Sequence, residues 1–493
     1  MVTVTPTRCR YHFLVCAACL SLVGLSENLA SGQTRLATFG RPVAGEQTST
    51  PQTTPPPAEA RPGMTLDHLE KLALTHNPTL GGAAALVMQQ QGVLKQAGLY
   101  PNPTAGYVRS DPDQSGKSQT QGVFVSQDII TGGKLQLARL AARQEVEQAN
   151  WQLQAQQARV INDVRIRFYE TLGAQHAVLA ALDLEKIAVE GAKSAEQLLA
   201  AKVGTRPDLL QAEIQLSVVR ASLRDARLRH DGAWRQLAAV VGVQGMPPSL
   251  LSGDLEADMP SLDWDTSVRN LLAESPLLKA QQAQISAAEY ELKLARVQVV
   301  PNISVQVVAQ RDSTEKFSSV NGFVGVPIPL FNRNQGNILT AEGRLIQQRK
   351  EYERIQLALV DQLAGSYRQY ESLRHQAEQL KKEILPRAKE NLDLTVQGYK
   401  VGRFDFSRVL TARQLYFQSN LTYVDSLTEF RKTAIEIAGL QLTGGLNPAE
   451  AGTALQATPG TGTNGVRSIL LQQLQEQRGG TGQARPAALQ AGP

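Results

Sequence analysis

The 493-residue sequence predicts a mainly α-helical protein with a small β part. Three observations carry this reading: two very long apolar stretches at helical period, two pairs of short alternating stretches, and an internal repeat of about 200 residues holding one of each. The repeat shows in its signatures, because His76-Asn77-Pro78 returns as Glu274-Ser275-Pro276 and Tyr100-Pro101-Asn102 as Val300-Pro301-Asn302. Lys202-Val203-Gly204 likewise returns as Lys400-Val401-Gly402.

In chain order, Arg8 and Arg10 precede the apolar run Phe13 to Leu25, and residues 1–32 read as a secretory signal peptide. Ala30-Ser31-Gly32 offers small residues for cleavage before Gln33, and Asn28-Leu29-Ala30 competes. Cys19 after Ala17-Ala18 carries a rival lipidation signal, weakened by Cys16 three positions earlier. Residues 33–62, with Pro55-Pro56-Pro57, have the composition of an extended Pro/Thr-rich linker. Residues 63–250 form the first repeat, 251–446 the second, and the Gly/Ala/Thr/Gln-rich 447–493 a disordered tail.

Each repeat follows one plan of helix, strand pair, very long helix, tight turn and helix. In the first, the expected helices are Thr65–Leu99, Gly133–Val203 and Asp208–Gly242. In the second they are Leu262–Val299, Gln335–Val401 and Asp405–Gly439. Ala142, Ala149, Val160, Val164, Phe168 and Leu172 mark one apolar face of the first long helix; Leu345, Tyr352, Leu359, Leu363, Tyr370 and Ala377 mark that of the second. At 1.5 Å per residue, Gly133–Val203 would run about 105 Å, the length of two shorter helices laid end to end beside it. Both read as antiparallel coiled-coil helices, and Pro386 should kink the second without ending it. Tyr169, Tyr367 and Tyr370 follow the apolar faces and read as packing residues.

The strands are expected at Thr104–Arg109, Val123–Ile129, Ile303–Gln310 and Gly322–Ile328, paired across polar loops. Tyr107, Val123, Val125, Val305 and Val307 would face outward, towards lipid. Four strands are too few to close around a channel, and an open sheet exposes its edges. Three copies would supply twelve strands, a trimeric transmembrane β-barrel with the helices ringed beneath it.

Little in the chain suggests reaction chemistry. All three cysteines, Cys9, Cys16 and Cys19, fall in the expected signal, and the six histidines show no metal-ligand spacing and read as solvated helix positions. The net charge of +5 argues for no nucleic acid. Gly132-Gly133-Lys134-Leu135 lacks the ends of a phosphate loop, and Glu145, Glu147, Glu351 and Glu353 alternate with basic residues as on a solvated face. The chain reads as a non-enzyme without cofactor or bound metal. A periplasmic coiled-coil scaffold or adaptor without a pore is the competing class.

On these residues the sequence resembles the TolC-like outer-membrane efflux proteins, closest to the subgroup serving cation and heavy-metal efflux pumps. The likeness runs from about Thr65 to Leu446 and rests on the duplicated plan, Asn77-Pro78, Tyr100-Pro101-Asn102, Pro327 to Gly336 and Tyr399-Lys400-Val401-Gly402. It implies a homotrimer in the outer membrane, continued by a periplasmic α-barrel and serving as the exit duct for cations, drugs or other small solutes. A periplasmic membrane-fusion adaptor and an inner-membrane efflux transporter are the implied partners. It also implies that Val203, Gly204, Thr205, Arg206 and Asp208, with Val401, Gly402, Arg403, Phe404 and Asp405, form the periplasmic mouth that meets the adaptor. Gly204 and Gly402 are expected to end their helices in the left-handed conformation. Family channels often carry an acidic ring beyond the second tip; here Arg408 and Thr411 match Asp208 and Gln211, which suggests an alternating gate instead.

Overall fold

The computed structural model describes residues 63–110, 120–257, 260–312 and 317–448. The expected signal peptide, the linker and nearly all of the expected tail lie outside the described residues. The first repeat runs α1 (Leu66–His76), α2 (Pro78–Ala97), β1 (Thr104–Ser110), β2 (Thr120–Ile129), α3 (Lys134–Ala200) and α4 (Arg206–Val241). The second runs α5 (Trp264–Glu274), α6 (Pro276–Val297), β3 (Ile303–Asp312), β4 (Ser318–Gly325), α7 (Gln335–Gln379), a π-helical turn (Leu380–Ile384), α8 (Leu385–Lys400) and α9 (Phe406–Ala438).

The first expected helix of each repeat is in fact two. Pro78 has no N–H for the ladder and disfavours helix at the residue before it, so α1 ends and α2 begins at Asn77. Asn77 caps α2, its Oδ1 accepting from Thr79 N at 2.9 Å, and ties the break to α4, its Nδ2 donating to Val240 O at 2.8 Å. Pro276 likewise separates α5 from α6, although Ser275 before it makes no side-chain cap.

The four strands form one antiparallel sheet in the order β1-β2-β3-β4, with the repeats joined at β2 and β3. β4 ends three residues before the expected Ile328, at the Ser304–Gly325 pair, and starts earlier, at Ser318. Pro327 and Pro329 have no N–H to offer the ladder, so Val326 to Phe331 leaves the sheet and Phe331 stands 91% exposed.

α3 is one uninterrupted helix of 67 residues, about 100 Å at 1.5 Å per residue. Its counterpart answers Pro386 with the π turn. Leu385 N–H donates to Leu380 O, five residues back, and the helix resumes as α8. The main core is a belt part-way along the bundle, where Phe168, Leu172, Trp234, Leu271, Leu363, Tyr370, Leu427 and Phe430 are buried together. Tyr370 stacks on Phe430 with centroids 5.1 Å apart, and its hydroxyl donates to Pro260 O and accepts from Leu262 N. Tyr169 and Tyr367 pack against this core. The chain after α9 is tied back to it, since Asp163 accepts from Gly444 N and Gly445 N and Asn162 donates to Leu442 O.

Candidate functional site: hairpin tips and sheet faces

The two tips occupy Ala201–Thr205 and Val401–Asp405, so their structural register is 200 residues. The Lys-Val-Gly signatures, 198 apart, are therefore not equivalent in space. At the second tip Gly402 takes the left-handed conformation, φ 72°, as expected. At the first it is Lys202, φ 59°, and not Gly204. Gly204 is needed for a different reason: a Cβ there would stand 3.1 Å from Leu198 Cβ, while Val203 N and Gly204 N both donate to Leu198 O at 3.0 Å.

The second tip solves the same crowding with the sizes exchanged. Phe404 stands where Gly204 stands, and Gly398 replaces Leu198. A Cβ on Gly398 would come within 2.3 Å of the Phe404 ring, so the ring lies directly on that glycine. The Arg408 guanidinium also lies over this ring, 4.7 Å from its centroid. Sequence reasoning missed this exchange; a register taken from the helix starts at Thr205 and Asp405 would have aligned Leu198 with Gly398.

The helix starts also differ. Thr205 and Asp208 form a reciprocal capping box, with Thr205 N donating to Asp208 Oδ2 at 3.1 Å and Asp208 N to Thr205 Oγ1 at 3.4 Å. Asp405 caps without such a bond and accepts only the Ser407 hydroxyl, at 3.0 Å. Within one chain no hydrogen bond or ion pair joins the four expected gate residues: Asp208 is held in its box, Arg408 on Phe404, Thr411 Oγ1 donates to Ser407 O, and Gln211 is exposed. Val203 and Val401 project at the tips, 76% and 69% exposed. Between the hairpins lies a small cluster of Ala195, Ala212 and Phe406 with Leu209, Tyr399 and Leu410.

At the other end the register puts the side chains of Tyr107, Val123 and Ala309 on one face, with Val125 and Val307, then Val305 and Val324, on the same side. All five residues expected to point outward share it. Arg109, Gln121, Arg311 and Ser318 close its far end. The opposite face carries Thr104, Ser126, Asp128, Ser304, Gln306, Gln310 and Asn321 with an apolar patch at Phe124, Val308 and Phe323. The outer edges of β1 and β4 have no strand partner within the described residues.

Between these ends, α6 and α7 are zipped by Arg296–Glu342 at 2.8 Å and Arg349–Glu289 at 3.0 Å. Between α3 and α6 stand Glu145 and Glu291, whose carboxyls burial pushes above the usual carboxylate range; Arg344, 4.0 Å away, draws Glu291 partly back. Glu145 is thus not on a solvated face. Nor is His230 fully solvated, with its side chain 19% exposed. Among the described residues no helix is long and apolar enough to cross a membrane, and no three His, Cys, Asp or Glu side chains are grouped to hold a metal ion.

The family model for outer membrane efflux proteins matches residues 69–243 and 268–441, one match to each repeat and together most of the chain. The chain belongs to that family. It is an outer-membrane efflux channel extending into the periplasm, not an enzyme, and the family's channels work as trimers in tripartite efflux. The non-pore scaffold is thereby excluded. Among its relatives is the cobalt-zinc-cadmium resistance protein CzcC of Cupriavidus metallidurans, 28% identical over 85% of this chain and 96% of CzcC. The solved structure of CusC has the same fold, with TM-score 0.67 and 20% identity over 77% of this chain and 92% of its own. VceC of Vibrio cholerae does too, with TM-score 0.63 and 18% identity over 78% and 97%.

Proposed function

We propose that three copies close a twelve-stranded barrel and that the resulting duct is the exit of a cation efflux system. The observation that carries this reading is the sheet, which has one apolar face for lipid, one largely polar face for a lumen, and two edges to be paired. The internal repeat supplies the pattern for closure: as β2 and α3 meet β3 and α6 across the repeat boundary, β4 and α7 of one copy meet β1 and α2 of the next. The side chains available for that seam fit it. α7 exposes Leu339, Ile346 and Leu357 on one stripe, and α2 exposes Gly81 and Gly92, small enough to receive them, with the apolar Met88 between.

The exposed tips, Val203 to Asp208 and Val401 to Asp405, are the docking surface for a periplasmic adaptor, which links the duct to an inner-membrane transporter. Asp208 and Arg408 alternate around the mouth and narrow it at rest. Cation cargo is supported by the likeness to CzcC along nearly its whole length. Selectivity belongs to the transporter, because a duct passes solutes without binding them tightly.

The test is the mass of the extracted protein in detergent, by light scattering, followed by conductance in planar bilayers. A trimer that conducts supports the duct, and Ile346→Asp should reduce it to monomers. A monomeric wild type would sink the shared barrel. Arg408→Ala should raise the closed-state leak several-fold, and an unchanged leak removes Arg408 from the gate.

A further inference from the structure

Below the belt core the two long helices are held differently. α3 passes through unbroken, whereas its counterpart relaxes into the π turn just before Pro386, and α8 below that turn packs on α9. Packing then thins. A cavity of about 170 Å³, lined in part by Ile187, Val218, Arg413 and Phe417, separates α3, α4 and α9 before the small cluster at the tips. A glycine at position 191 leaves room for the Arg413 guanidinium, which a Cβ there would meet at 3.1 Å.

The π turn is tethered from outside its own helix. Lys381 Nζ lies 2.6 Å from Glu256 Oε2, and the Tyr423 hydroxyl of α9 donates to Glu256 Oε1 at 3.0 Å. Glu256 sits in the segment joining the repeats, and that segment is anchored. Leu255 is buried in the belt core, and its carbonyl accepts from Arg431 Nε at 3.0 Å. One carboxylate on a fixed support therefore holds both the turn and the helix that returns from the tip.

We propose that Glu256 is the positioning residue of a hinge at Leu380–Ile384: its bonds to Lys381 and Tyr423 latch the α8–α9 hairpin against the bundle, and their release lets the hairpin pivot. The sixteen residues of α8 reach about 24 Å below the turn, so a pivot of about 10° carries the tip about 4 Å. The lysine hydrogen bond keeps the Glu256 carboxyl below its usual range, so the latch stays charged in mildly acid surroundings. The inference rests on the reading of the tips as a closable mouth.

The test compares full-length wild type with Glu256→Gln, Lys381→Glu and the exchanged pair Glu256→Lys with Lys381→Glu. Two readouts are taken on the detergent-extracted protein: conductance in planar bilayers, and hydrogen exchange of the amides of residues 385–400. Each single variant should raise time-averaged conductance and α8 exchange about fivefold, the scale of losing one partly exposed ion pair. The exchanged pair should return both towards wild type, with the melting temperature hardly moved throughout. A plain structural staple would lower the melting temperature and leave α8 exchange alone. Unchanged exchange in both single variants, or an exchanged pair as fast as the singles, overturns the latch whether or not the wild type conducts. A wild type that enters bilayers but never conducts overturns the mouth reading instead, and the exchange data still judge the latch.

Discussion

The two hairpin tips carry the same turn with opposite side-chain solutions. At the first, the bulk comes from the helix, Leu198, and the loop gives way with Gly204; at the second, the loop supplies Phe404 and the helix gives way with Gly398. The first closes its new helix with a reciprocal Thr205–Asp208 box, the second with an aromatic ring under Arg408. Duplication thus conserved the backbone path and the volume to be filled, not the position that fills it. The same contrast holds higher up, where α3 is continuous and its counterpart is hinged. The second hairpin is the one that hangs below a π turn.

The largest effect should separate the belt from the tips. Tyr370→Ala removes a fully buried ring stacked on Phe430 and unties Pro260 and Leu262, at a cost of about 3–5 kcal/mol. Phe406→Ala, in a cluster of only three buried residues, should cost about half as much. Denaturant titration in detergent checks both, and equal losses would erase the distinction between a rigid belt and a loosely held end.

Next comes the size exchange. Gly398→Ala must evict the Phe404 ring and should cost about 1–3 kcal/mol. The double change Gly398→Leu with Phe404→Gly rebuilds the first tip's solution and should recover most of that loss. If the double variant is no better than Gly398→Ala, the tips are not interchangeable. Thr205→Ala removes a capping box and should cost about 1 kcal/mol, with Asp405→Ala costing less because its carboxylate accepts only the Ser407 hydroxyl; fraying of each helix start by hydrogen exchange would rank them.

The smallest effect concerns the seam between the repeats. Glu145 binds its proton more tightly folded than unfolded, so its ionisation weakens the fold as pH rises from about the ordinary value of 4.5 through the raised one. Glu145→Gln should therefore raise the melting temperature slightly at pH 7, with the gain vanishing near pH 4. A gain that persists in acid would show that charge is not its cause.

Much of this could be read in advance. Apolar period alone marked the two long helices, because burial of one helical face is a local property of residues three and four apart. Alternation likewise placed Tyr107, Val123, Val125, Val305 and Val307 on one face of the sheet. The helix breaks at Asn77-Pro78 and Ser275-Pro276 were legible in principle, although periodicity carried the expected helices straight through them. Absent from any local pattern were the register at the tips, the pairing of Phe404 with Gly398, the burial of Glu145 against α6, and the reach of Glu256 to Lys381.

The sequence by itself determined the repeat, the helical and strand periods and the face each element turns inward, since these follow from backbone geometry and the order of side chains. Tertiary structure alone decided which distant residues share a space: Glu256 and Lys381 are 125 residues apart, and only the packing of the belt makes them neighbours.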